Sequence, residues 1–235
     1  MHIRLLIPKE LQVFLTGSCS AGAVDANCSP HQTVKDIADA AGIPHVEIGG
    51  YLINGRAVDD STRPCDGDTV TLEASRRCPA GRPTFILDVH LGTLARYMRI
   101  LGFDVLFDTD MDDCRIAETA SREGRIVLTR DRGLLKRKIL VCGYWLRSQD
   151  PRKQLREVSR RYSLGKWVSP LTRCARCNGL LAAVSKEQVL EMIPPKTRGF
   201  CSEFRQCSTC GQLYWKGTHY PRIAEIIELC VSESM

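Results

Sequence analysis

Four of the twelve cysteines fall in two C-x-x-C pairs, Cys174 with Cys177 and Cys207 with Cys210. This is the spacing of a tetrahedral zinc site, in which four thiolates hold one ion. Because protein supplies all four ligands, no position is left for a catalytic water, so we expect the zinc to be structural. The pairs are 29 residues apart, more than the usual interval, and we expect a helix over 185–192 to fill part of the gap.

Two alternatives to this zinc site stay open. Cys201 or His219 could replace one of the four cysteines as a ligand. A C-x-x-C pair can also act as a redox dithiol, but two pairs in a loop-rich tail fit that role poorly. The remaining cysteines show no pattern, and without a secretory signal we expect free thiols rather than disulfides. They are Cys19, Cys28, Cys65, Cys78, Cys114, Cys142, Cys201 and Cys230.

Aspartates form the second group of residues that could do chemistry. They stand at or just after the ends of short apolar runs, at Asp88, Asp108, Asp110, Asp112, Asp113 and Asp131. Carboxylates that converge on one edge of a sheet repel one another unless a cation lies among them. Oxygen ligands suit Mg²⁺ or Mn²⁺, hard ions that bind phosphates and activate water for phosphodiester hydrolysis.

Each aspartate taken alone also has a structural interpretation. Asp112, Asp113 and Asp131 could cap the helices that follow them, and the two aspartates before Asp112 could be turn residues. For Asp88 and Asp131 together, at the ends of neighbouring apolar strands, we favour a shared cation.

Basic residues are concentrated in the same part of the chain. Residues 1–80 hold 7 Lys/Arg and 10 Asp/Glu, whereas the remaining 155 residues hold 26 and 17. A basic part beside an acidic one indicates contact with a polyanion such as RNA, although a solvated surface explains the charge equally well. Near the cysteine pairs, cations alternate with aromatic residues that either bind RNA or pack the small ribbon. These residues are Arg173, Arg176, Arg205, Tyr214, Trp215, Lys216, His219 and Tyr220.

The elements that must position the aspartates alternate between strand and helix. The alternation, with short connections, predicts a parallel sheet in a three-layer α/β domain. Ligands of such sheets bind outside the carboxyl ends of the strands, where Asp88, Asp108 and Asp131 stand. Gly102 and Gly124 are predicted helix ends. The strand-like runs are TFILD (84–88), VLFD (105–108), RIVLTRD (125–131) and ILVCGYW (139–145), and a further helix is predicted over 151–163.

Residues 1–77 follow a different pattern, β-β-α-β-β. Strands are predicted over 2–7 and 12–15 and in two later runs, with a helix that begins after the N-cap Thr33. This order resembles the ubiquitin-like β-grasp fold, and TVKDIADAAGIPHVEIGGYLINGRAV resembles its sulfur-carrier branch. Sulfur carriers end in a free Gly-Gly, whereas this chain continues through residues 76–79. We therefore favour a docking or structural module over sulfur transfer.

Several segments together resemble one family. FILDVHLGTLARYMRILGFDVLFDTD, RIVLTRDRGLLKRK, TRCARCNGLL and CSTCGQLYWKGTHY resemble the Mut7-C RNase domain, a PIN-like nuclease fold with a C-terminal zinc ribbon. The N-terminal module resembles the ubiquitin-like domain often fused ahead of it. The resemblance predicts a ubiquitin-like domain over 1–77, a PIN-like nuclease domain over 84–165 and a zinc ribbon over 170–222.

PIN-like domains are metal-dependent ribonucleases, so the resemblance implies catalytic residues. It implicates Asp88, Asp113 and Asp131, which would hold Mg²⁺ or Mn²⁺. PIN-like proteins often use a fourth acid, which stays open among the other aspartates between 108 and 112. The predicted RNA contacts are Arg96, Arg99 and Arg130, which lie near the acids in sequence.

The predicted function is therefore a divalent-metal-dependent ribonuclease, a hydrolase, with RNA as its partner and a structural zinc ribbon. The alternative is a non-catalytic RNA-binding or protein-interaction module on the same fold. A protein partner is also a prediction for the ubiquitin-like domain. No run approaches the 18 apolar residues of a membrane helix and no signal pattern opens the chain, so we expect a cytoplasmic protein.

Overall fold

A computed structural model of the chain describes residues 1–15, 22–75, 81–199, 201–217 and 220–232. The predictions for Cys19, residues 76–79 and His219 fall outside these residues. The chain forms two compact units, one of residues 1–77 with 131–145 and one of residues 78–130 with 146–235. Residues 131–145 thus belong with the N-terminal segment, although the predicted domain over 84–165 includes them.

The N-terminal segment is a mixed five-stranded sheet with one main helix. Its elements are β1 (His2–Leu6), α1 (Lys9–Gln12), β2 (Ala23–Asn27), α2 (Val34–Ala40), β3 (Ile48–Ile53), β4 (Arg56–Val58) and β5 (Thr69–Ala74). The strand order is β2-β1-β5-β3-β4, in which β1 and β5 are parallel. Leu5, Ile37 and Val70 are buried in one core that sheet and helix share. The predicted β-grasp fold is confirmed.

Local signals set the ends of two of these elements. Helix α2 begins at a capping box, in which Thr33 and Asp36 each accept the backbone N–H of the other. The β3–β4 hairpin turns at Asn54 and Gly55, with φ angles of 51° and 80°. Both residues of such a two-residue turn need a positive φ, which Asn and Gly adopt most readily.

The predicted strand over 12–15 is wrong. The chain forms the single helical turn α1 after Pro8, which has no N–H and so begins a helix without losing a hydrogen bond. Phe14, one of the apolar residues that suggested a strand, is buried in the β-grasp core together with Leu11 of α1. An apolar run this short does not distinguish a strand from a helical turn.

The second unit contains the predicted parallel sheet. Its first elements are β6 (Thr84–Leu87), α3 (Gly92–Ile100), β7 (Asp104–Phe107), α4 (Asp113–Glu123) and β8 (Ile126–Thr129). Strand β6 is central and pairs in parallel with β7 and β8, so that Leu87 is level with Phe107 and Leu128. The carboxyl ends of the three strands therefore meet at one edge. Strands β6 and β8 are almost fully buried, which explains their continuous apolar runs.

Residues 131–145 add α5 (Arg132–Leu135) and β9 (Gly143–Trp145) to the first unit. The Arg132 guanidinium lies 5.2 Å from the Phe14 ring and 4.6 Å from the Trp145 ring. It also donates to the carbonyls of Val13 and Phe14. The Glu47 carboxylate accepts the Trp145 N–H at 2.7 Å, so this segment is joined to the β-grasp core at both ends.

The C-terminal part of the second unit holds the helix predicted over 151–163 and a small antiparallel sheet. Its elements are α6 (Pro151–Tyr162), β10 (Leu181–Val184), α7 (Pro195–Arg198), β11 (Phe204–Cys207), β12 (Leu213–Trp215) and α8 (Tyr220–Val231). The sheet order is β10-β11-β12. The helix predicted over 185–192 is a 3₁₀ helix at Glu187–Met192. Helix α8 was not predicted, and no helix of the described residues is long and apolar enough to cross a membrane.

Candidate functional site

The two C-x-x-C pairs meet in one cluster. The four Sγ atoms of Cys174, Cys177, Cys207 and Cys210 all lie within 4.8 Å of one another. Contacts cross between the pairs, with Cys174 and Cys210 sulfurs 3.6 Å apart and those of Cys177 and Cys207 3.5 Å apart. Among the described residues, this cluster is the group of three or more Cys, His, Asp or Glu side chains that could hold a metal ion.

Tight turns after each pair bring the sulfurs together. Asn178 and Gly211 adopt left-handed backbone, with φ angles of 69° and 71°. Their N–H groups donate to the carbonyls of Cys174 and Cys207, which closes the two loops. A methyl group at Gly179 would lie 2.9 Å from the Cys207 sulfur, so the close approach of the loops requires glycine there.

The donor set and spacing fit zinc. Zn–S bonds of about 2.3 Å place the sulfurs of a tetrahedron about 3.8 Å apart, close to the separations in the cluster. Four sulfur donors without oxygen favour zinc over magnesium or calcium. The proposed substitute Cys201 instead directs its thiol to the Lys216 carbonyl.

Hydrogen bonds to the cluster change the pKa values of its thiols. Burial acts to raise the pKa of Cys174, but hydrogen bonds from the Tyr214 hydroxyl and from backbone N–H groups outweigh it and lower the pKa to about 6. The Gly179 N–H favours the Cys177 thiolate, yet burial and the three other sulfurs raise its pKa to about 12. A bound metal removes this conflict, because its positive charge stabilises all four thiolates together.

Arg99 connects the cysteine loop to the parallel sheet. Its side chain is 4% exposed and donates to the carbonyls of Val105 at 3.0 Å and Arg176 at 2.9 Å. Burial lowers the pKa of this guanidinium, while the nearby Cys177 and Cys174 act in the opposite direction. Its donors are used within the protein.

Asp104 makes a second connection between the sheet and the cysteine loop. Its carboxylate accepts from Arg125 at 2.8 Å, from Arg173 at 3.0 Å and from the Asn178 amide at 2.9 Å. Burial opposes ionisation, but these hydrogen bonds dominate and hold the pKa of Asp104 below its usual value. The Asn178 side-chain oxygen in turn accepts the Val105 N–H.

Asp88 is buried at the carboxyl end of the central strand β6. Its side chain is 6% exposed and accepts the Thr129 hydroxyl at 2.8 Å across the β6–β8 pair. Its backbone N–H donates to the Leu128 carbonyl. Buried carboxylates need such partners, because an unsatisfied charge in the interior is costly.

The acids after β7 have local partners at the start of α4. Asp112 caps the helix by accepting the Arg115 N–H at 2.8 Å, and Asp113 is the first helical residue. Asp108 accepts the Asp110 N–H in a turn. The structural interpretations of Asp108 and Asp112 are therefore correct. Within the described part of the second unit, the carboxylates form no metal-holding group of three.

The remaining predicted residues are distributed over both units. Asp131 belongs to the first unit and caps α5 by accepting the Gly133 N–H at 2.7 Å. Arg96 is exposed on α3, and Arg130 follows β8 in the second unit. The catalytic role of the aspartates and the RNA contacts of the arginines stay predictions.

Comparison with known families decides which one the chain belongs to. A family model described as the Mut7-C RNAse domain matches residues 83–227, which is more than half of the chain. The chain belongs to the Mut7-C family. A second model, Mut7-C ubiquitin, matches residues 1–77. The Mut7-C match supports a nuclease-like function in general.

Comparison with individual proteins adds little to the Mut7-C assignment. No curated protein matches the chain. The crystal structure of SAMP1 from Haloferax volcanii is similar at 19% identity and a TM-score of 0.26, covering 34% of this chain and 99% of that chain.

Sequence reasoning missed Thr129 and Asp104, which organise the Mut7-C domain, and it considered Tyr214 only as a residue that binds RNA or packs the ribbon. The Thr129 hydroxyl donates to Asp88 at the edge of the parallel sheet. Asp104 accepts the side-chain amide of Asn178 in the cysteine loop, and the Tyr214 hydroxyl contacts the Cys174 sulfur. Only Thr129 had a signal, because it ends an apolar strand beside the predicted site. The contacts of Asp104 and Tyr214 with the cysteine loop join residues that are 39 or more positions apart in the sequence. No local sequence pattern indicates contacts over such distances.

Proposed function

We propose that this Mut7-C protein is a divalent-metal-dependent ribonuclease that hydrolyses RNA phosphodiester bonds. The observation that carries the proposal is Asp88, a buried carboxylate at the carboxyl end of the central parallel strand. Ligands of open parallel sheets bind at this edge. A buried carboxylate at this edge is suited to hold a hard cation.

Different observations support each of the three carboxylates proposed to hold the cation. Thr129 orients Asp88 through one oxygen, which leaves the other oxygen as a ligand atom. Asp113 stands at the start of α4, after the strand next to β6. Asp131 is included because of the family resemblance alone. When bound, Mg²⁺ or Mn²⁺ would supply an activated water and charge stabilisation at the phosphate.

We propose further that Cys174, Cys177, Cys207 and Cys210 bind one structural Zn²⁺. The fit of four sulfurs to a tetrahedron supports this assignment. Through Arg99 and Asp104 the zinc loop is joined to strand β7, so zinc would stabilise the sheet that carries the acids. The ubiquitin-like domain is proposed as the site for a protein partner.

A cleavage assay with matched variants tests the nuclease proposal. Purified full-length protein is incubated with labelled RNA in Mg²⁺ or Mn²⁺, and Asp88→Asn is compared with Glu118→Gln, an exposed acid on α4. We expect Asp88→Asn to abolish cleavage, because asparagine keeps the shape but not the charge that binds the ion. RNA binding should survive, since the loss of a negative charge does not repel phosphate.

The outcomes separate the enzyme from its non-catalytic rival. Activity that needs an added divalent ion and disappears only in Asp88→Asn supports the proposal. RNA binding without cleavage by the wild type under all ion conditions would favour a non-catalytic RNA-binding module. Full cleavage by Asp88→Asn would mean that the active site lies elsewhere.

A further inference from the structure

A cavity of about 300 Å³ opens in the second unit beside the cysteine cluster. Helix α3 contributes Arg96 and Arg99 to its wall, and the end of β7 contributes Phe107. The first cysteine loop contributes Arg176, and strand β12 contributes Tyr214. Ligand pockets have volumes of about 300 Å³ or more, so this cavity is near the lower limit. It is large enough for a group the size of one nucleotide and too small for a duplex.

The charge of the cavity favours an anion. Three arginines line it and no Asp or Glu does. Within the described residues, no carboxylate forms an ion pair with Arg96, Arg99 or Arg176. Arg99 is held by backbone carbonyls, whereas the side chains of Arg96 and Arg176 are exposed and can turn toward a phosphate.

Two aromatic rings have fixed positions in the same wall. A methyl group at Gly92 would lie 3.0 Å from Cζ of Phe107, so the ring rests directly on the backbone of α3. The Tyr214 hydroxyl accepts the Ala175 N–H at 2.9 Å and contacts the Cys174 sulfur at 3.2 Å. Rings held in this way offer a surface on which a base can stack without first being ordered.

We propose that this cavity binds one nucleotide of single-stranded RNA, with Arg96 and Arg176 on a phosphate and a base against Phe107 or Tyr214. The inference rests on the proposed function, since it names the part of the substrate that the second unit grips. It also gives the zinc ribbon a role in substrate binding, because the cysteine loop carries Arg176 and the ribbon strand β12 carries Tyr214.

Binding of a defined probe tests the cavity without cleavage. The full-length protein is titrated into a fluorescein-labelled single-stranded RNA oligonucleotide and into a duplex of the same sequence, without added Mg²⁺ or Mn²⁺. Arg96→Ala and Arg176→Ala should each weaken single-strand binding about tenfold and reduce the salt slope by about 0.7. Phe107→Leu should weaken it at least about fivefold through lost stacking. The matched controls Arg122→Ala and Arg222→Ala, exposed outside the cavity, should change it less than about twofold.

Competition defines the ligand class. AMP should displace the oligonucleotide at concentrations where inorganic phosphate does not. Equal displacement by phosphate, with no effect of Phe107→Leu, would overturn the nucleotide assignment. Effects of Arg96→Ala and Arg176→Ala no larger than those of the controls would overturn the site. If Arg176→Ala loses zinc, Arg96→Ala on the exposed face of α3 decides alone.

The cavity proposal and the nuclease proposal can be refuted independently of each other. Cleavage by the wild type together with unchanged binding in the cavity variants refutes the cavity and leaves the nuclease proposal standing. Cavity-dependent RNA binding without cleavage under any ion condition refutes the nuclease and leaves the cavity standing.

Discussion

The Tyr214 hydroxyl contacts two parts of the cysteine loop at once, the Ala175 N–H and the Cys174 sulfur. Tyr214→Phe keeps the ring but removes both contacts. Since partners that hydrogen-bond to metal ligands orient them, we expect zinc affinity to fall by about 10- to 100-fold. Competition with a zinc chelator measures this. Tyr51→Phe, in the other unit, removes a hydroxyl far from the cluster in sequence and should leave zinc affinity unchanged. Equal affinities in the two variants would contradict the role of Tyr214.

Asp104 stabilises the fold with a defined dependence on pH. Its pKa is lowered in the folded protein, so its contribution is present above the unfolded pKa of about 3.9 and is lost as the pH falls through the folded value. We expect Asp104→Asn to cost about 2 kcal/mol at pH 7, because Arg125 and Arg173 lose their partner. The difference from the wild type should shrink below about pH 4. A difference in unfolding free energy that is constant between pH 7 and 3 would refute this account, and Glu118→Gln is the exposed control.

At the scale of elements, we expect the ribbon sheet to depend on its proposed zinc more than on its core. The ribbon has a small apolar core, and domains with so small a core usually need a metal for stability. This core consists of Val189, Ile193, Cys201, Phe204 and Leu213. Cys210→Ser should lose the zinc and raise hydrogen exchange in β10–β12, while β6 and β8 stay protected. Elemental analysis of the wild type should find about one zinc per chain. Cys65→Ser, an exposed cysteine outside the pairs, is the control.

A zinc-free protein with full protection of the ribbon would contradict this prediction. Loss of protection throughout the second unit would mean instead that the connections through Arg99 and Asp104 make sheet and ribbon one cooperative unit.

Elements with strong local signals were predictable and the others were not. Strands β6 and β8 are uninterrupted apolar runs, and Gly102 and Gly124 end helices with φ angles of 92° and 64°. The C-x-x-C spacing likewise predicted a cluster of four cysteines. The hydrogen bonds of Arg99 could not be predicted, because two of its acceptor carbonyls lie 76 and 77 residues away. Helix α8 did carry a signal, since the buried Ile226 and Cys230 are four residues apart.

At the scale of the whole molecule, the first unit is discontinuous in sequence, because residues 131–145 pack on the β-grasp core. Arg132 is the main connection, stacked near the Phe14 and Trp145 rings and bonded to two carbonyls. Arg132→Lys keeps the charge but loses the planar guanidinium and its stacking on the rings. We therefore expect the free energy of unfolding to fall by about 1–2 kcal/mol.

Hydrogen exchange of this segment is the measurement for Arg132→Lys. The Trp145 amide, which donates to Glu47, should exchange faster in the variant. Arg56→Lys, exposed on β4, should leave that rate unchanged. If Arg132→Lys exchanges like the wild type, the contacts of Trp145, including its hydrogen bond to Glu47, hold the segment without the guanidinium. Faster exchange limited to residues 131–145 and the α1 region would show that one guanidinium joins two stretches of chain more than a hundred residues apart.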